Sequence, residues 1–135
     1  MPYSIRFTRR IASYSTEPYI NDCCIGGDLI LDQLLPTLRD AYGPSLEAIQ
    51  EDWGWFVWFE HGGIKLAVDV FTHDHISGEL EIHITSRRPR FLRSAEVVDV
   101  PALDVVRERV VGALQRWPVE ALTVERLDEN HQPAG

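Results

Sequence analysis

The pair Gly62-Gly63 constrains this chain more than any other feature. It separates two alternating segments, Trp55 to His61 and Ile64 to Thr72. Adjacent glycines accept positive φ at both central positions of a two-residue hairpin loop, which most residues cannot do. A loop of that length fixes the pairing of its strands. His61 is then opposite Ile64, Phe59 opposite Leu66, Val57 opposite Val68, and Trp55 opposite Val70. One face of the ribbon becomes continuously apolar, as a core face must be.

The pattern extends on both sides. Leu46 to Asp52 and Glu79 to Ser86 read as further strands, giving a four-strand meander. Matching apolar positions puts Leu66 beside Ile84, Val68 beside Ile82 and Val70 beside Leu80. Tyr3 to Arg9 alternates as a half-buried strand, Ile11 to Pro18 reads as a loop, Tyr19 to Ile25 as a short strand, and Ala121 to Leu127 as a last strand. Asp28 predicts a helix N-cap, followed by Leu31, Leu34, Leu35, Leu38 and Tyr42 at helical spacing up to Gly43-Pro44. Pro36 predicts a kink there, or a helix that begins nearer Asp32. A second helix opens at Pro101, carries Leu103, Val106, Val110 and Leu114 on one stripe, and closes at Trp117-Pro118. Ser86 to Pro101 reads as a long connection whose Arg87, Arg88, Arg90 and Arg93 form a basic loop. Residues 128–135 read as a frayed tail. The expected fold class is α+β: a two-layer sandwich with a central four-strand antiparallel meander and two helices on one face, spanning 1–135 as a single domain.

The formal net charge of −8 argues against nucleic acid as a partner, because phosphate affinity rests on Lys and Arg. It favours a basic protein. No apolar run is long enough to cross a membrane, and Met1 to Arg10 is too charged for a secretory signal, so neither membrane insertion nor export is expected. Cys23 and Cys24 are neighbours, which disfavours an ordinary disulfide and points to a reducing cytoplasm.

The hairpin register also defines the face away from the helices. It gathers Phe56, Trp58 and Glu60 with Lys65, Ala67, Asp69 and Phe71, and with Glu79, Glu81, His83 and Thr85. Phe56, Asp69 and Glu81 are expected in one row, and Trp58, Ala67 and His83 in the next. Aromatics beside carboxylates that lack enough Lys or Arg to neutralise them suit a surface that meets a cationic partner. The candidate binding surface is therefore Phe56, Trp58, Asp69, Phe71, Glu79, Glu81 and His83. A solvated face capped by loops is the competing description.

Other chemistry is thin. His73-Asp74-His75 has ligand-type residues, but His61 falls at the far end of the sheet and His83 lies well along its strand, so no metal is expected. Cys23 and Cys24 have no His nearby in sequence to act as a base, and read as buried small residues. Gly26-Gly27 lacks the spacing and the Lys of a phosphate loop and reads as a cap. No Ser/His/Asp arrangement stands out, so no catalytic residue and no cofactor is predicted.

Glu51-Asp52-Trp53-Gly54-Trp55 is the most distinctive string; Gly54 permits a tight bend and the flanking tryptophans are expected to fasten it to the core, an exposed Trp clamp beside two acids being the functional alternative. Running into an antiparallel meander over residues 46–86 of a small acidic chain, this string resembles bacterial immunity-type proteins of polymorphic toxin systems. The resemblance implies a stoichiometric protein-binding inhibitor with no catalytic residues, and assigns no individual position. Two other readings stay open: a small-molecule-binding protein or enzyme with its site between sheet and loops, and a homo-oligomer that buries this face against itself. A deep pocket with convergent polar groups would favour the ligand reading; a flat or grooved acidic face would favour the protein binder.

Overall fold

The computed structural model describes residues 2–10, 16–128, 130 and 132–133. The loop reading at residues 11–15, and part of the tail, lie outside the described residues. Strands β1 (Tyr3–Thr8), β2 (Ile49–Glu51), β3 (Gly54–His61), β4 (Ile64–Asp74), β5 (Glu79–Arg90), β6 (Arg93–Val97) and β7 (Glu120–Arg126) form one sheet, with helices α1 (Gly27–Tyr42) and α2 (Pro101–Leu114) packed on it. The strand order is β2-β3-β4-β5-β1-β7, with β6 paired to β5. All pairings are antiparallel. The fold is α+β, as the alternation and helical stripes predict.

Gly62 and Gly63 both carry positive φ, 59° and 77°, and the β3–β4 register is the one their loop dictates. The next pairing differs from expectation by two residues: Val68 faces Ile84, Val70 faces Ile82, and Leu66 faces Ser86. The extra length is absorbed by a bulge at His73 and a tight turn after it. In that turn the Asp74 carboxylate accepts hydrogen bonds from the amides of Ile76 and Ser77. Because side chains alternate with period two, a two-residue slip keeps every side chain on its expected face and moves every row.

The core joins both helical stripes to one sheet face. Ile30, Leu31, Leu34, Leu35 and Leu38 of α1 and Leu103, Val106, Val110 and Leu114 of α2 pack with Ile5, Val57, Leu66, Val68, Ile82 and Ile84. Helix α1 starts at Gly27, earlier than Pro36 suggests. Pro36 lies on the exposed side, where the bond it cannot make is exchanged for water while the Leu stripe holds the helix down.

Asp28 is not the N-cap of α1: Gly26 holds that position in the left-handed region, and Asp28 lies in the first turn. Two further local expectations fail. Residues Tyr19 to Ile25 form no strand; the Asn21 side chain caps a single 3-10 turn at Asp22–Cys24. The basic connection after Ser86 is not a loop, since β5 continues to Arg90 and folds back as β6. After β7, Leu127 is buried, its amide donates to the Pro2 carbonyl, and it bridges to Pro133. Among the described residues no helix is long and apolar enough to cross a membrane.

Candidate functional site

The sheet face opposite the helices has no second layer among the described elements, and its rows follow from the ladders. One row runs Ile49, Phe56, Asp69, His83, Ser4 and Glu125. Phe71, Glu81, Arg6 and Thr123 form the row beside it. On the other side come Trp58, Ala67 and Thr85, then Glu60, Lys65 and Arg87. Glu81 therefore stands next to Phe71 rather than in the Phe56–Asp69 row, and His83 stands next to Asp69 rather than in the Trp58–Ala67 row.

The slip changes the chemistry. Glu81 is 4% exposed and sits within a ring of donors. Ser4 Oγ donates to it at 2.9 Å, Arg6 Nε pairs with it at 2.9 Å, His73 Nε2 lies at 2.8 Å, and His83 Nε2 reaches its other oxygen. Burial pushes its pKa up, but the hydrogen bonds from His83, His73 and Ser4 outweigh that and hold it down at about 2. Glu81 is thus neutralised within the protein and is not a carboxylate offered to a partner. Phe71 packs edge-on against both histidines, with ring centroids 5.4 Å from His73 and 4.8 Å from His83. Glu79 is exposed at the start of β5, away from the aromatic residues.

Asp69 behaves in the opposite way. Burial pushes its pKa up to about 6, against lowering by His83 and Arg87. It forms the floor of a shallow hollow of about 230 Å³ walled by Trp53, Phe56 and Trp58, with Lys65, Thr85 and Arg87 on the far side. The Lys65 ammonium lies 4.5 Å from the centroid of the Trp58 ring.

The two tryptophans of the distinctive string divide their roles. Trp55 fastens the bend, since its Nε1 donates to the Cys24 carbonyl at 2.9 Å. Trp53 instead turns to the open face and stacks on Phe56 at 5.8 Å between centroids. Gly54 has φ of 153°, and a Cβ there would lie 2.3 Å from the Val70 carbonyl oxygen.

Beside this patch β2 pairs with only the first residues of β3, Gly54 to Phe56. A groove of about 550 Å³ opens where that pairing stops, lined by Leu46, Glu47, Ile49, Trp58 and Glu60 with Tyr42 at its side. Ile49, Trp53 and Trp58 are 42%, 41% and 43% exposed. Glu47, Glu51, Asp52 and Glu60 are exposed around them and make no ion pair among the described residues. Sequence reasoning finds Trp58 but misses Ile49, because pairing with a three-residue edge strand leaves no periodic signal; for Trp53 it favours the core-fastening role, whereas the residue is 41% exposed.

No family model, curated protein or solved structure matches this chain significantly.

The remaining candidates disperse. His73 is held by Glu81, Asp74 shapes the turn, and His75 lies 3.9 Å from Asp22. Among the described residues no group of three or more His, Cys, Asp or Glu is placed to hold a metal ion. Cys23 is exposed, whereas Cys24 is buried with its thiol donating to the Glu51 carbonyl at 3.0 Å. Burial pushes the Cys24 thiol pKa up, the wrong direction for a nucleophile.

Proposed function

We propose that this chain is a small protein-binding module that takes a basic segment of a partner protein at the open face of its sheet, along the β2–β3 edge. One observation carries this reading: Ile49, Trp53 and Trp58 stand exposed in one patch, rimmed by Glu47, Glu51, Asp52 and Glu60. Apolar anchors inside a charged rim are the common anatomy of a protein interface. The net charge of −8 attracts a basic partner over distance, and the unpaired rim carboxylates orient it.

The shape supports a protein rather than a small ligand. The hollow over Asp69, at about 230 Å³, is smaller than the roughly 300–1,000 Å³ of sites that enclose a ligand. The larger groove is open and has Glu47 and Glu60 in its walls. The finer identity we propose is an immunity-type inhibitor that occludes a basic toxin stoichiometrically. What supports it is the place of Glu51-Asp52-Trp53-Gly54-Trp55, whose turn supplies Trp53 and two rim carboxylates to the patch. The free thiols of Cys23 and Cys24 support action in the cytoplasm.

The test is capture from the native host, followed by titration of the captured protein against variants. Trp58→Ala should weaken binding about thirtyfold, the effect of losing one anchor. Glu60→Lys should slow association, more strongly at low salt. A captured protein that binds both variants as tightly as the parent would exclude this face as its site.

A further inference from the structure

The tip of the β5–β6 hairpin breaks three local rules at once. Arg90 and Arg93 are direct cross-strand partners, and like charges in that position repel. The loop between them is Phe91-Leu92, where a two-residue hairpin favours Asn-Gly or Gly-rich pairs. Leu92 has φ of 56°, a region that costs a branched apolar residue about 1–2 kcal/mol. Phe91 and Leu92 are also 90% and 88% exposed, the most exposed large apolar residues among those described. Native sequences break local rules chiefly where a function needs it. Arg87 and Arg88 continue the positive charge down the hairpin, and a single acid, Glu96, faces Arg88.

This tip is the chemical complement of the groove at the other side of the sheet. The tip is apolar with a basic collar. The groove is apolar, with Leu46, Ile49 and Trp58, and has an acidic border in Glu47 and Glu60. Phe91 and Leu92 are almost wholly in solvent, so a chain does not fill its own groove. A second copy carries the matching part.

We propose that the groove beside Trp58 takes the Phe91–Leu92 hairpin tip of a second copy of this chain. The proposal rests on the reading of that groove as a site for a basic segment, and names the segment. Phe91 and Leu92 enter between Ile49 and Trp58, while Arg90 and Arg93 meet Glu47 and Glu60. The repulsion between the two arginines is relieved once each has a carboxylate partner. Reciprocal exchange gives a closed dimer; one-way exchange gives larger species as concentration rises.

The experiment is sedimentation of the whole chain over a range of concentration and salt. The parent should associate, and rising salt should weaken the association. Phe91→Ser combined with Leu92→Ser should weaken it about thirtyfold or more while leaving the circular dichroism unchanged. The decisive arm reverses charge. A chain with Arg90→Glu and Arg93→Glu should fail to self-associate, as should one with Glu47→Lys and Glu60→Lys, whereas the two mixed should pair with each other. A parent that stays monomeric at millimolar concentration, a tip variant that associates like the parent, or reversed chains that do not pair on mixing would each overturn the proposal. If the parent is monomeric but a foreign basic protein still binds it through Trp58, the reading of the groove survives and only its occupant changes.

Discussion

Asp69 and His83 face each other directly across the β4–β5 ladder, yet His83 gives its Nε2 to a different acid, Glu81. Glu81 is pulled down to about 2, while Asp69 is pushed up to about 6. Two acids on one sheet face are thus set apart by where the hydrogen-bond donors point. Ser4 and Arg6 on β1 serve Glu81, and among the described residues nothing hydrogen-bonds the Asp69 carboxylate.

Asp69 should lower stability at neutral pH. The folded state holds its proton up to about 6, whereas the unfolded chain releases it near 3.8. Between those values the folded state binds more protons, so stability falls as pH rises from about 4 to 6. The loss is on the order of 2–3 kcal/mol, since each tenfold change in proton affinity is worth about 1.4 kcal/mol. Asp69→Asn should therefore raise the urea midpoint at pH 7.5 and remove this decline. A variant no more stable than the parent at pH 7.5 would contradict the half-buried, unbonded carboxylate.

Glu81 should act in the opposite sense. Its folded pKa is below its unfolded one, so its contribution is present above about 4.5 and is lost as pH falls towards 2. Replacing it with Ala removes the acceptor of the buried Ser4 hydroxyl and the ion pair with Arg6, and should cost about 2–3 kcal/mol at pH 7. Chemical denaturation of Glu81→Ala from pH 3 to 7 measures this, and its deficit should shrink towards the acid end.

Gly54 and Gly62 separate conformational strain from collision. Both have positive φ, but a Cβ at Gly62 meets nothing within 4 Å, while one at Gly54 meets the Val70 carbonyl oxygen at 2.3 Å. Gly62→Ala should cost about 1 kcal/mol from backbone strain alone. Gly54→Ala should cost at least about 3 kcal/mol, because β3 must move off β4. Thermal denaturation of the pair checks the difference; equal costs would mean that the bend before Trp55 is not tight.

What the sequence reveals depends on how far apart the interacting residues lie. The β3–β4 register is legible because two glycines in a minimal loop leave one solution. The β4–β5 register is not, since a bulge at His73 and the Asp74 turn can hide any even slip. Parity still puts Trp58, Asp69 and Glu81 on the correct face, although the neighbours it assigns to Glu81 are wrong. The real partners of Glu81 on β1, Ser4 among them at 77 residues' separation, are beyond the reach of local patterning. Strand β6 is hidden in the sequence because arginines and a Phe-Leu turn carry none of the usual hairpin chemistry.

Trp55 and Trp58 should part company under mutation. They stand three residues apart on β3, but odd spacing puts them on opposite faces of the sheet. Trp55 packs against the core and ties its indole N–H to the Cys24 carbonyl, holding the 3-10 turn to the sheet. Its loss removes apolar burial and an anchored hydrogen bond together, so Trp55→Ala should cost about 3–5 kcal/mol of folding stability. Trp58 is 43% exposed and touches the Lys65 ammonium rather than a core neighbour, so Trp58→Ala should cost roughly 1 kcal/mol or less. Binding should show the reverse order, with Trp58→Ala the damaging change at the groove it lines. Urea unfolding read by far-UV circular dichroism, beside sedimentation of the same samples, gives both numbers. Should Trp58→Ala unfold the chain as readily as Trp55→Ala does, the face beyond the helices is part of the core and not a surface for binding.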